Sequence, residues 1–255
     1  MTDTPKRRKR LILPIVVTMG AALVALLVGL SPMLARGSEQ SAPGATTSTR
    51  ASSTSASPSK QDAQIAALAS LARRTPGDPV ALGKDDAPVV LIEYSEFQCP
   101  FCGKFARDTE PTLLKEYVDK GLLRIEWRDF PYLGPESKTA AYAGRAAAAQ
   151  GKFWEFHDAM YAEQQPPNSG KLTVDHLAGI AAKIGLDVAR FRKDLADPKI
   201  QAPVWQDFSE GQSIGVTGTP AFLINGNPVI GAQPTATFTR VIDAEIAKAA
   251  KGQTK

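Results

Sequence analysis

Residues 89–103 read VVLIEYSEFQCPFCG. The run Val89-Val90-Leu91-Ile92-Glu93-Tyr94 is nearly continuous, apolar and β-branched, which predicts a strand buried on both faces. Cys99-Pro100-Phe101-Cys102 follows almost at once. Behind it, Phe105, Leu113, Leu114, Tyr117 and Val118 supply the apolar face of a helix over residues 101–119, which Pro111 should kink. A pair of cysteines three apart, between a buried strand and a helix start, therefore decides how the rest of the chain is read.

Outward from this stretch the pattern is regular. Upstream lie a short amphipathic helix over residues 65–74 and a candidate edge strand at residues 80–82. Downstream, residues 122–127 form the next strand and lead into Arg128-Asp129-Phe130-Pro131. A helical block follows, with helices expected over 139–150, 152–164, 174–184, 188–195 and 202–214. Thr173 and Asp187 are N-cap candidates. Ala221-Phe222-Leu223-Ile224, Asn225-Gly226 and Asn227-Pro228-Val229-Ile230 make a hairpin signal. Phe238, Val241, Ile242 and Ile246 mark a last amphipathic helix over 235–250. The order predicts an α/β fold, a mixed sheet with helices on both faces, with residues 136–210 as one helical insertion.

Composition narrows the class. The chain has 255 residues, 43% hydrophobic and 22% charged, as a globular protein does. Of 30 Lys+Arg and 26 Asp+Glu, five cations are Lys6, Arg7, Arg8, Lys9 and Arg10, and one anion is Asp3. The remainder holds 25 of each sign, so the net charge of +4 is no argument for nucleic-acid binding. Residues 11–30, LILPIVVTMGAALVALLVGL, are uncharged and long enough to cross a hydrocarbon core. With the basic cluster before them they predict a cytoplasmic tail at 1–10, a membrane segment at 11–34 and an extracytoplasmic remainder. A cleaved signal peptide would export the remainder equally. The run is long for one, and cleavage after Ala35 would put Met33 where a small residue belongs, which favours an uncleaved anchor. Residues 35–63 are Ser, Thr, Ala, Pro and Gly with few large apolar side chains, and are read as a disordered linker. The folded domain is then 64–255.

The two cysteines are the only ones, and the two histidines, His157 and His176, stand apart. A structural zinc site needs four N or S ligands, so no metal site is expected, although two thiolates could take Cu(I). Export and the helix-start position favour redox chemistry. At the first turn of a helix, free N–H groups and the positive end of the dipole stabilise a thiolate at Cys99. Pro100 suits that turn because its missing N–H would be unpaired anyway. Cys102, one turn on, would be the more buried. A Cys99 pKa of ~4.5 instead of ~8.5 would favour the reduced form by about 3–3.5 kcal/mol at pH 7, about 70 mV in a two-electron couple. A stabilised dithiol makes its disulfide an oxidant. The spacing leaves open a reductase or isomerase, and a chaperone or Cu(I)-binding module. Glu93 in an apolar run would be expensive to desolvate, which points to a role. Glu96 reads as a solvated loop charge. Phe97 and Phe101 either pack or form an apolar lip. Phe153, Trp154 and Phe156 read as core of the helical block, and the histidines as structural or surface residues.

The segment from Leu91 to Gly103 resembles the active-site strand and helix start of the DsbA-like thiol:disulfide oxidoreductases of the thioredoxin superfamily, in particular membrane-anchored ones of high-GC Gram-positive bacteria. Val216-Thr217-Gly218-Thr219-Pro220-Ala221-Phe222 resembles their cis-proline loop. The likeness covers about Asp78 to Ala250 and implies a thioredoxin-like fold with a helical insertion. It also implies an exposed nucleophile at Cys99, a buried partner at Cys102 and a cis-proline at Pro220. Thr219 would contact substrate peptide through its backbone, and Glu93 would shuttle protons to the buried thiol. Pro100 and Phe101 would tune the potential; Phe101 stands where the best-known enterobacterial pattern has His. No cofactor is implied. The partners implied are unfolded exported proteins with free thiols and a membrane reoxidant of the DsbB or VKOR type.

Overall fold

The computed structural model describes residues 59–253. The readings of 1–10 as a tail, of 11–34 as a membrane segment and of the linker up to residue 58 lie outside the described residues. Among the described residues no helix is long and apolar enough to cross a membrane.

In chain order the elements are α1 (Lys60–Ala69), β1 (Ala81–Leu82), β2 (Val89–Ser95), α2 (Pro100–Asp108), α3 (Glu110–Leu113), a π-helical turn (Leu114–Val118) and β3 (Leu123–Asp129). Then come α4 (Pro135–Ala148), α5 (Phe153–Ala162), α6 (Val174–Lys183), α7 (Val188–Leu195), α8 (Pro198–Ser213), β4 (Ala221–Ile224), β5 (Asn227–Ile230) and α9 (Thr235–Gln253). The sheet order is β1-β3-β2-β4-β5. β2 runs parallel to β3 and antiparallel to β4. All seven residues of β2 are buried, as its apolar run predicted.

Alternation along the strands sends side chains to two faces. Val89, Leu91 and Glu93 share one face with their register partners Leu123, Ile125 and Trp127, and with Phe222 and Ile224. Its apolar members other than Trp127 meet Phe105 of α2 and Phe238 and Ile242 of α9. Val90, Ile92 and Tyr94 point the other way, against Leu68 of α1 and Phe208 of α8. The inserted helices have their own core around Phe153, Phe156, Leu177 and Phe191. It joins the sheet where Phe97 stacks on Trp127, ring centroids 5.3 Å apart.

Several boundaries differ from expectation. α1 starts inside the stretch read as linker because Ser59 and Asp62 form a capping box: Asp62 N–H donates to Ser59 Oγ at 3.1 Å and Ser59 N–H to Asp62 Oδ2 at 3.1 Å. It ends at Ala69, short of Arg74, because the chain then turns to aim two N–H groups at buried Glu126. Arg73 N–H reaches its carboxylate at 3.0 Å and Arg74 N–H at 2.7 Å, with Arg74 at φ +47°. The helix expected over 101–119 is broken: Thr109 closes α2, Pro111 sits in the first turn of α3, and a π turn follows. β3 runs two residues past its expected end, to Asp129, which pairs with Ser95. The caps Thr173 and Asp187 are present, as is the Asn225-Gly226 turn, with φ of +46° and +83°.

β3 also carries charges that the sequence pattern did not place inside. Arg124, Glu126, Arg128 and Asp129 are all buried. Glu126 pairs with Arg124 at 3.0 Å and Arg128 at 2.9 Å, and Arg128 pairs with Glu210 of α8 at 3.1 Å. Arg145 of α4 reaches Asp129 at 2.5 Å and also pairs with Asp207 of α8. This ion network fastens the inserted helices to the sheet.

Candidate active site

The parallel pair β2–β3 delivers its carboxyl-end loops to one edge, and α2 starts there. Cys99 is the N-cap residue of α2: its sulfur accepts the Cys102 N–H at 3.4 Å, and Pro100 occupies the first turn. The Thr219-Pro220 peptide is cis and lies over the sulfur, with the Cys99 thiol donating to the Thr219 carbonyl at 3.2 Å. Gln164, at the far end of the turn after α5, donates to the carbonyls of Cys99 at 2.9 Å and Phe97 at 3.1 Å. That approach requires Gly103, where a Cβ would stand 2.2 Å from Gln164 Oε1.

The expectation of an exposed nucleophile is corrected: Cys99 is only 2% exposed, against 0% for Cys102. The cis-proline loop and the helix start close over it from two sides. What separates the two sulfurs is proton affinity. The Cys102 thiol, the Thr219 hydroxyl and the N–H groups of Cys102 and Phe101 together outweigh burial and bring Cys99 down to about 6. Burial, the hydrogen bond with Cys99 and the Cys99 charge push Cys102 well above the ordinary thiol value. Phe101 carries no charge to assist, which fits a lowering smaller than the helix-start argument anticipated.

Two acids accompany the sulfurs. Glu93 is buried beneath α2, and neither carboxylate oxygen has a hydrogen-bond partner. Burial raises it to about 8, with the nearby Ser95 hydroxyl opposing and the Cys99 charge adding. The reading of Glu96 as a solvated charge is overturned. It is 2% exposed, and accepts from the Ser137 hydroxyl and from Leu133 N–H at 3.3 Å. Burial raises it to about 7 against the pull of Ser137, with Cys99 adding. Its partners sit in the segment after β3, whose position beside residue 96 no local pattern announces. Phe97 packs in the core, whereas Phe101 is 63% exposed. Phe101, Tyr132, Val216, Thr219, Pro220 and Ile230 line an open groove of about 520 Å³.

The structure thus brings Cys99, Cys102, Glu93, Thr219, Pro220, Pro100 and Phe101 to one place. Sequence reasoning missed Glu96, Gln164, Ser95 and Tyr161. Tyr161 Oη lies 3.4 Å from Ser95 Oγ and donates to the Glu96 carbonyl at 3.0 Å. Only Glu96 had a local signal, its place within the Cys-containing loop. Phe153 and Phe156 lie in the core with Trp154 packed against it, as read, and His157 is buried.

A dithiol whose two sulfurs differ in proton affinity, under a cis-proline, suits thiol–disulfide exchange. The family model described as Thioredoxin matches residues 75–244. "Probable disulfide bond formation protein D" of Bacillus cereus is 35% identical over 172 residues, covering 66% of this chain and 79% of that protein. The crystal structure of alpha-DsbA1 from Wolbachia pipientis superposes with a TM-score of 0.65 at 27% identity, covering 73% of this chain and 99% of that one. "Na(+)/H(+) antiporter NhaA 3" of Salinispora tropica is 38% identical over 146 residues, but these are 21% of that protein, so the likeness is to one part of it. The chain belongs to the thioredoxin family and, within it, to the DsbA-like thiol:disulfide oxidoreductases.

Proposed function

We propose that the protein is an exported, membrane-tethered oxidase that introduces disulfide bonds into secreted or cell-envelope proteins. The observation that carries the exchange chemistry is the gap between the sulfurs, Cys99 near 6 and Cys102 far above it, and the oxidising direction is supported by the export read from residues 11–34. A substrate thiolate attacks Cys99 Sγ and breaks its bond to Cys102. Cys102 leaves as a thiolate and takes a proton from Glu93. A second substrate thiolate attacks the substrate sulfur of the mixed disulfide and releases Cys99 as a stable anion. The substrate loses two electrons and the Cys99–Cys102 pair gains them. The backbone of Thr219, next to Pro220, aligns the substrate chain, and Phe101 offers an apolar wall to unfolded partners.

The uncharged run within residues 11–34, after five cations, supports a single-pass anchor with a cytoplasmic N-terminus and an extracytoplasmic catalytic domain. A membrane oxidant of the DsbB or VKOR type would reset the disulfide. The test mixes oxidised protein with a reduced, unfolded secreted enzyme: activity returns with wild type and not with Cys99→Ser. A measured potential near ~−120 mV supports an oxidase, whereas one near ~−270 mV would make the protein a reductase.

A further inference from the structure

Glu96 is a buried acid that the reaction as written above does not use. It stands three residues before Cys99, yet its carboxylate is bonded to the segment after β3. It accepts the Leu133 N–H at 3.3 Å and the Ser137 hydroxyl. Ser137 Oγ in turn accepts from Gln98 Nε2 at 2.8 Å, and Gln98 Oε1 accepts the Asn168 N–H at 2.7 Å. Asn168 Nδ2 donates to the Leu133 carbonyl at 2.9 Å. The bonds close a ring that runs Glu96, Ser137, Gln98, Asn168, Leu133 and back to Glu96. Ser137 and Gln98 are buried too, so the loss of one member strands its neighbours without partners. The ring is tightly fitted at its outer edge: Asn168 has φ +52°, and a Cβ on Gly134 would stand 3.1 Å from Asn168 Oδ1.

Three segments of chain meet in this ring. Glu96 and Gln98 lead into Cys99, and the Glu96 carbonyl accepts the Cys99 N–H at 3.3 Å and the Tyr161 hydroxyl at 3.0 Å. Asn168 follows Gln164, which holds the Cys99 and Phe97 carbonyls. Leu133 and Ser137 belong to the passage from β3 into α4, and the residue before Leu133 is Tyr132. Tyr132 is 42% exposed and lines the groove with Phe101, Thr219 and Pro220. Its hydroxyl lies 3.9 Å from where a Cβ on Gly218 would stand, so the ring reaches the loop that carries the cis-proline. Both polar groups of the Leu133 main chain are spent on the ring, the N–H on Glu96 and the carbonyl on Asn168, which pins the backbone beside Tyr132.

We propose that Glu96 is the positioning residue of the substrate groove and Tyr132 the wall that it positions: the closed ring of hydrogen bonds holds Tyr132 beside the Thr219-Pro220 loop at a set place relative to Cys99, and so favours cysteines carried on a peptide chain over small free thiols. The inference rests on the substrate groove of the reading above and not on the direction of electron flow. No proton or electron passes through the ring. A peptide that lies along the Thr219 backbone meets Tyr132 as well as Phe101, and its sulfur is held at Cys99 for longer. A thiol too small to reach the groove wall gains nothing from Tyr132.

The test is stopped-flow reduction of the oxidised full chain by a cysteine-containing peptide and, separately, by mercaptoethanol, read from tryptophan fluorescence. The quantity compared is the ratio of the two rate constants, peptide over small thiol. Glu96→Ala should lower that ratio by about tenfold to a hundredfold, the range that a misplacement of about 1 Å produces. Glu96→Gln, which keeps an oxygen for Leu133 and Ser137, should restore most of it. Tyr132→Ala should lower the ratio as far as Glu96→Ala does, and the double variant should go no lower, since both remove the same wall. Asn168→Gly keeps the positive φ and deletes the bond to the Leu133 carbonyl; it should lower the ratio part of the way, and it decides the matter should Glu96→Ala not fold. Phe101→Ala is run alongside. If Phe101→Ala lowers the ratio while Glu96→Ala or, in its place, Asn168→Gly does not, or if the losses from Glu96→Ala and Tyr132→Ala simply multiply, the positioning role is overturned and the groove stands. If no variant moves the ratio, Phe101→Ala included, the substrate groove falls and the positioning role with it.

Discussion

The proton affinities of the two sulfurs fix how the reduction potential must vary with pH. Making a dithiol from a disulfide takes two electrons and up to two protons. Below the Cys99 value of about 6 both sulfurs bind a proton, and the potential falls by about 59 mV per pH unit. Above it only Cys102 does, and the slope relaxes toward about 30 mV. At pH 7, a thiol at about 6 instead of 9.0 favours the reduced form by at most about 1.4 kcal/mol, close to 30 mV. That is under half the shift anticipated from the helix-start argument alone, so the rest of any strong oxidising power must come from strain or contacts in the oxidised form. Glu93 modifies the curve. The Cys99 charge helps raise it to about 8, so reduction draws part of a proton onto Glu93 and keeps the wild-type slope above 30 mV between pH 7 and 8. Glu93→Gln should remove that excess. The assay is equilibration with glutathione buffers from pH 5 to 9, alongside far-ultraviolet thiolate absorbance. A straight line of about 59 mV per unit up to pH 8.5, with no thiolate before then, would refute the reasoning.

Three further outcomes follow from the surroundings of the site. Both Glu93 and Glu96 bind protons more tightly folded than unfolded, so the stability they allow the reduced protein is full below about pH 4.3 and is lost as pH rises through about 7 to 8; Glu93→Gln should therefore raise the urea midpoint of the reduced protein at pH 8 and change it little at pH 4. Glu126 is the opposite case: burial would raise it, but the Arg73 and Arg74 N–H groups and Arg128 hold it at about 2, so its contribution is present above the ordinary carboxylate range and vanishes as pH falls toward 2. Glu126→Gln should cost about 3–5 kcal/mol in urea melts at pH 7 by leaving buried arginines unpaired. Gly103→Ala should displace Gln164 from the Cys99 and Phe97 carbonyls and lower stability by about 1–3 kcal/mol; combined with Gln164→Ala it should add little, which a thermal double-mutant cycle checks.

The secondary structure of the stretch from Val89 to Gly103 was readable in advance because it is specified locally, whereas the burial of Glu96 and Cys99 within it was not. A β-branched run makes a strand, a cysteine before Pro100 makes a helix cap, and Thr219-Pro220 marks a loop, each through neighbours within a few residues. The hairpin at Asn225-Gly226 and the caps at Thr173 and Asp187 were legible for the same reason. Element ends were legible only where a cap was recognised: Ser59 with Asp62 was overlooked, and α1 starts earlier than read. The point where α1 stops depends on Glu126, more than fifty residues away, and could not be seen from its own sequence.

By itself, then, the sequence determined the order of elements, the reactive pair and the proline that faces it, since backbone preference and hydrophobic period act over a turn or a strand. Only the tertiary structure decided the environment of each ionisable group. Glu93, Glu96, Glu110 and Glu126 are the same residue type on one chain, yet three are raised in proton affinity and one is lowered. The difference lies in which partners long-range packing places around each carboxyl: an arginine cluster with two N–H groups for one, apolar walls or a nearby thiolate for the others. Charge in a low-dielectric interior is governed by such neighbours, and they come together only when the chain has closed on itself.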